Sequence, residues 1–130
     1  MIRRIFGCMI FAVLVFGNGA SAHHNMTALF DFNDRVTVSG ALTKIDWRNP
    51  HIYLTLDVKN DKGAIENWQG EGPAPSWFSI RDVGKADFEK SIEKTLTLEL
   101  SRARDKSLSG LIRTITLPDG RVISACPQNC

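Results

Sequence analysis

Three histidines fall in two short segments, His23-His24 and Asn49-Pro50-His51. Small residues, Ala20-Ser21-Ala22, stand immediately before the first pair, after an apolar stretch from Ile5 to Phe16 that is preceded by Arg3 and Arg4. That is the three-part pattern of a secretory signal, and cleavage after Ala22 makes His23 the first residue of the mature chain. An amino-terminal histidine is a chelate in itself. Its free amine has an ordinary pKa of about 7.7 to 8.0, low enough to lose its proton to a metal ion, and the imidazole closes the ring. Nitrogen-rich planar sites favour Cu(II) over zinc. His24 adds an imidazole one residue on, His51 supplies a third from the start of the second expected strand, and Met26 is a soft donor for Cu(I). A plainer reading competes with this one. Chain termini fray, adjacent histidines on an extended segment point to opposite sides, and the strand parity of His51 turns it away from the core.

Trp47, Asn49, His51 and Tyr53 share one parity and would form an aromatic and polar strip, suited to a ring or a sugar, if one strand ran through Pro50. Against that, Trp47 belongs with Ile45 on a core face and the proline breaks the alignment. Trp68 and Trp77 read as core or helix-docking residues. Glu66 and Glu71 read as a solvated edge, because no second acid at defined spacing marks an acid/base pair. Cys126 and Cys130 are expected to form a short terminal disulfide in an oxidising compartment. A loop this short contributes roughly 2 kcal/mol in the chain-entropy account. No nucleophile elbow, phosphate-cradling glycine loop, paired-histidine zinc motif or complete Cys/His pattern occurs. Binding is therefore expected rather than catalysis.

Charge narrows the partners. The chain has 16 Lys+Arg and 14 Asp+Glu, and loss of Arg3 and Arg4 with the signal leaves 14 of each. A neutral mature chain lacks the positive surface that nucleic-acid binding requires. Residues 1–22 are expected to be the signal and 23–130 a single domain, with no second apolar run of the roughly 20 residues needed to cross a bilayer. The expected location is periplasmic or secreted.

These side chains must be positioned by strands. Val36, Val38, Gly40 and Leu42 alternate on one face, whereas Ile45 and Trp47 fall on the opposite parity, which calls for a bulge between Gly40 and Lys44. His51 to Lys59 alternates cleanly, and Asn60-Asp61-Lys62-Gly63 turns it into a third strand around Ala64 to Glu71. Pro73 and Pro75 then break the sheet. Ser76 can cap a short helix with Trp77, Ile80 and Val83 at helical spacing and Gly84 as its stop, and a helical stretch can resume through Phe88 and Ile92. Strands return at Leu96 to Leu100, Leu111 to Leu117 and Val122 to Ala125. Three strands, a helix and two or three strands match a small OB-like Greek-key β-barrel of five to six strands. Each large apolar side chain buried inside contributes roughly 1.5 to 3 kcal/mol, so the domain should fold without a structural metal.

The residues Ala22-His23-His24, Phe30-Asp31, Trp47-x-Asn49-Pro50-His51, Asn67-Trp68 and Leu117-Pro118-Asp119-Gly120-Arg121 resemble a family of small exported bacterial proteins whose function is unknown. The resemblance spans nearly the whole mature chain and singles out His23, His24, Asp31, Asn49 and His51. Asn25 and Glu93-Lys94 depart from the family pattern, the second in the loop before the fourth strand. The expectation is an exported β-barrel that binds a transition metal, copper first, through His23 with help from His51 or His24. The alternative is an OB-like binding module for a small molecule, glycan or protein partner, with no functional metal.

Overall fold

The computed structural model describes residues 26–126, and within them the chain is mainly β. A single helical turn, α1 (Met26–Leu29), leads into a long first strand, β1 (Phe30–Asp46). There follow β2 (Ile52–Lys59), β3 (Ile65–Gly72), two short helices α2 (Pro75–Ser79) and α3 (Lys85–Glu89), then β4 (Thr95–Ala103), β5 (Ser109–Thr116) and β6 (Val122–Ser124). One sheet takes all six strands in the order β3-β2-β1-β4-β5-β6, with neighbours antiparallel. β3 also pairs with β5, in parallel, through Gln69 with Ser109, Gly70 with Gly110 and Glu71 with Leu111.

β1 serves two partners because it changes phase. Its first part pairs with β4 and its last part with β2, and the register with β2 slips between Leu42 and Lys44. Val38 and Leu42 are buried before the slip, and Ile45 packs on the same core after it. The bulge expected from the parity break is therefore present where the hydrophobic pattern required it. Gly40 sits at the crossing: a Cβ there would collide with the Asp57 carbonyl and lie 2.9 Å from Val58 Cγ2.

On β2 the even residues Ile52, Leu54 and Leu56 are fully buried, and on β4 Leu96, Leu98 and Leu100 are too. Ile112 and Ile115 of β5 and Ile123 of β6 complete this interior. The β3–β4 connection closes one end of it. Phe78 of α2 and Phe88 of α3 are fully buried, with Trp47 tilted against them at centroid distances of 5.3 and 5.2 Å.

Two helices fill this connection, the second in the stretch where helix was expected to resume, but the caps and the buried residues differ from the sequence reading. Ala74 is the N-cap of α2, with Pro75 in the first turn where its missing N–H costs nothing, so Ser76 lies inside the helix. Gly84 does not end a helix but starts α3, its N–H donating to Asp87 Oδ2 at 3.0 Å. Phe78, Val83 and Phe88 face the core, whereas Ile80 is 77% exposed. A five-residue helix is too short for a 3.6-residue periodicity to select its buried side.

Candidate functional site

The outer face of the β2–β3 hairpin carries the polar side chains that the strand alternation turns away from the core. Tyr53 and Thr55 of β2 stand beside Asp46 and Lys44 of β1 and opposite Glu71 and Gln69 of β3. His51 lies just before β2 and shares the parity of Tyr53. His51 Nδ1 is 2.5 Å from Glu71 Oε1, and the two side chains are only 24% and 16% exposed. Glu71 also accepts a hydrogen bond from the Tyr53 hydroxyl.

That arrangement determines what each group can offer. Burial first, then the negative charge of Glu71 and the hydrogen bond to it, hold the Tyr53 phenol above its ordinary pKa, so it stays protonated and donates. A neutral imidazole that donates from Nδ1 to a carboxylate has its acceptor at Nε2. Histidines that ligate metals are commonly braced by a carboxylate in this way. Among the described residues, no group of three or more His, Cys, Asp or Glu is arranged to hold a metal ion. His51 would have to be joined by ligands from elsewhere.

A second set of contacts fixes where the amino-terminal end of the described chain lies. Met26 and Phe32 pack on a small apolar cluster of Phe30, Ala103 and Leu111, separate from the main core. Arg104, in the β4–β5 loop, holds the same segment: its backbone N–H donates to Leu29 O at 2.9 Å and its Nε to Thr27 O at 2.8 Å. Leu111 is the register partner of Glu71 across the parallel β3–β5 pairing. Met26 thus packs on a cluster whose Leu111 is the strand neighbour of the carboxylate beside His51.

The other sequence-predicted residues are dispersed. His23, His24 and Cys130 lie outside the described residues, and Cys126 is disulfide-bonded. Asp31 is engaged with Arg104 at 3.6 Å and with the Asn33 N–H at 3.1 Å. Asn49 is exposed in the β1–β2 loop, where the Asn49-Pro50 peptide bond is cis. Trp47 turns to Phe78 and Phe88, so the strip of Trp47, Asn49, His51 and Tyr53 is not continuous. Trp68 is in the core, and Trp77 docks α2 by donating from Nε1 to Ser124 O at 3.0 Å.

Glu71 corrects the sequence reading. It is no solvated edge residue but the mostly buried partner of His51 and Tyr53. The signal was available in the hairpin: once the turn pairs Lys59 with Ile65, counting back along the ladder puts Glu71 opposite Tyr53. Glu66, by contrast, accepts from Asn60 Nδ2 at 2.9 Å and Trp68 Nε1 at 3.2 Å, bonds that hold its carboxyl below the usual range.

A family model described as "Family of unknown function (DUF6152)" matches residues 12–112, and the chain belongs to that family. No curated protein and no solved structure matches it. Among the described residues, no helix is long and apolar enough to cross a membrane.

Proposed function

We propose that the chain is exported, cut after Ala22, and binds one copper ion through the amine and imidazole of His23 with His51 as a further ligand. In this reading β1 to β5 form an OB-like Greek-key barrel, closed by the β3–β5 pairing, that works as a rigid support for the site. The observation that carries the proposal is the His51–Glu71 contact at 2.5 Å. A carboxylate on one ring nitrogen orients the other toward a ligand and raises its basicity.

The reading sets a condition on reach. Met26 packs on the cluster that contains Leu111, the strand neighbour of Glu71. Adjacent strands are about 4.8 Å apart, and three residues of extended chain span at most roughly 11 Å. The reading therefore requires the amine at residue 23 to cover the distance from Met26 to His51 within that span. The role that follows is carriage or sensing of copper outside the cytoplasm.

Intact mass of the exported protein should begin at His23. Titration with Cu(II) should then saturate at one equivalent with the spectrum of a planar nitrogen site, strongly weakened by one additional amino-terminal glycine and altered by His51→Ala. Equal affinity with and without that glycine rules out the amine as a ligand and with it the proposal.

A further inference from the structure

Two neighbouring rows of opposite character cross the outer faces of β1, β2 and β3. Lys44, Thr55 and Gln69 are in register as one row, and Asp46, Tyr53 and Glu71 as the next. Alternate residues on a strand are about 6.6 to 6.8 Å apart along its axis, which sets the separation of the rows. Together with Arg48, the first five of these side chains other than Glu71 line an open groove of about 420 Å³. The size is that of a small-molecule site.

The charges in the groove do not balance within either row. Lys44 is exposed and makes no ion pair among the described residues, with only a hydroxyl and an amide beside it. The second row has two carboxylates flanking the Tyr53 phenol. Arg48 pairs with Asp46 at 3.0 Å, but its side chain is 71% exposed, and an exposed pair of this kind yields at little cost. A simple anion drawn to Lys44 would also meet the field of Asp46 and Glu71. A simple cation drawn to Asp46 would meet Lys44. A molecule carrying both charges, aligned across the rows, satisfies the two together.

We infer that this groove binds a small zwitterion, its carboxylate on Lys44, Thr55 and Gln69 and its ammonium on Asp46. Free amino acids and short amino-carboxylates are the matching class. Thr55 and Gln69 supply neutral donors that add geometry to the charge of Lys44. Tyr53 stands beside Asp46 in the same row, and Glu71 adds negative field beyond it. The site uses neither His23 nor His51 and stands or falls apart from the copper proposal.

The test uses the metal-free mature protein in a chelator, so that capture of a metal by the probe cannot imitate binding. Amide correlation spectra are recorded during titration with 4-aminobutanoate, and in parallel with butanoate and n-butylamine, which carry one charge each on the same carbon chain. 4-Aminobutanoate is expected to shift the amides of residues 44–46, 53–55 and 69 saturably, with each single-charge analogue roughly tenfold weaker or more. Lys44→Gln and Asp46→Asn should each weaken it several-fold with unchanged circular dichroism. Absence of saturable shifts at millimolar 4-aminobutanoate overturns the inference. So does equal binding of either single-charge analogue, or unchanged affinity in Lys44→Gln.

Discussion

Glu71 stands directly across the β2–β3 ladder from Tyr53, and this register lets one carboxylate serve both the phenol and the imidazole of His51. Neither strand alone holds the site. Tyr53 and His51 come from one segment and Glu71 from the next, and the antiparallel pairing brings the three onto one face.

Glu71→Gln is expected to lower Cu(II) affinity of the mature protein by roughly 10- to 100-fold, the usual effect of removing the carboxylate behind a ligating histidine. Competition titration against a chelator of known affinity measures it. An affinity equal to wild type would detach His51 from the metal.

Arg104→Ala should loosen the segment from Met26 to Phe30 without unfolding the sheet. It removes the Nε bond to Thr27 O at 2.8 Å and the ion pair with Asp31, worth about 1 kcal/mol together on a partly exposed surface. Hydrogen exchange of residues 26–30 should quicken, and the His51-dependent part of the copper spectrum should diminish while one equivalent still binds. Unchanged exchange would show that the apolar cluster around Met26 holds the segment without Arg104.

Gly70→Ala is expected to destabilise by about 1 to 3 kcal/mol, the usual cost of overpacking a filled core. The added Cβ would lie 2.7 Å from Ile112 Cγ1 and 3.1 Å from Leu98 Cδ1. Urea unfolding reads the loss. Ile112→Val in the same chain should restore part of it, because it withdraws a methyl from the crowded side of the contact.

Phe88→Ala should cost about 3 to 5 kcal/mol. Phe88 is fully buried and its ring meets both Trp47 and Phe78, the latter edge-on at 5.9 Å. Unfolding curves give the loss, and tryptophan emission should move to the red as Trp47 gains contact with water.

Acid should weaken the domain in part through Asp87. Its carboxylate accepts from Arg121 Nη2 at 2.8 Å and from the Gly84 N–H at 3.0 Å, and these bonds hold its pKa below the ordinary value of 3.8. The unfolded chain therefore takes up the proton at higher pH than the folded one. The stabilisation is fully present above the unfolded value and is lost as pH falls through the folded one. Asp87→Asn should lose about 1 kcal/mol at neutral pH and show a flatter acid limb, measured by thermal unfolding between pH 2 and 7.

Alternation was legible wherever a strand has one wet and one dry face. It located β2, the polar outward position of Tyr53 and the bulge in β1, because a parity break in a half-buried strand can be reconciled with one core only by an extra residue. It failed in the β3–β4 connection. There Phe78 and Phe88 reach the core from two short helices, each burying a single phenylalanine.

By itself, then, the sequence determined the strands, their faces and the turn that joins β2 to β3, since each depends on neighbours a few residues apart. Tertiary structure alone decided that Trp47 turns inward to Phe78 and Phe88, and that Glu71 is withdrawn from solvent against His51. It also decided that β3 meets β5 and so carries Glu71 beside the cluster holding Met26. The reason is physical: local alternation says which way a side chain points, but what it meets there depends on pairings between distant segments, selected by the packing of the whole core.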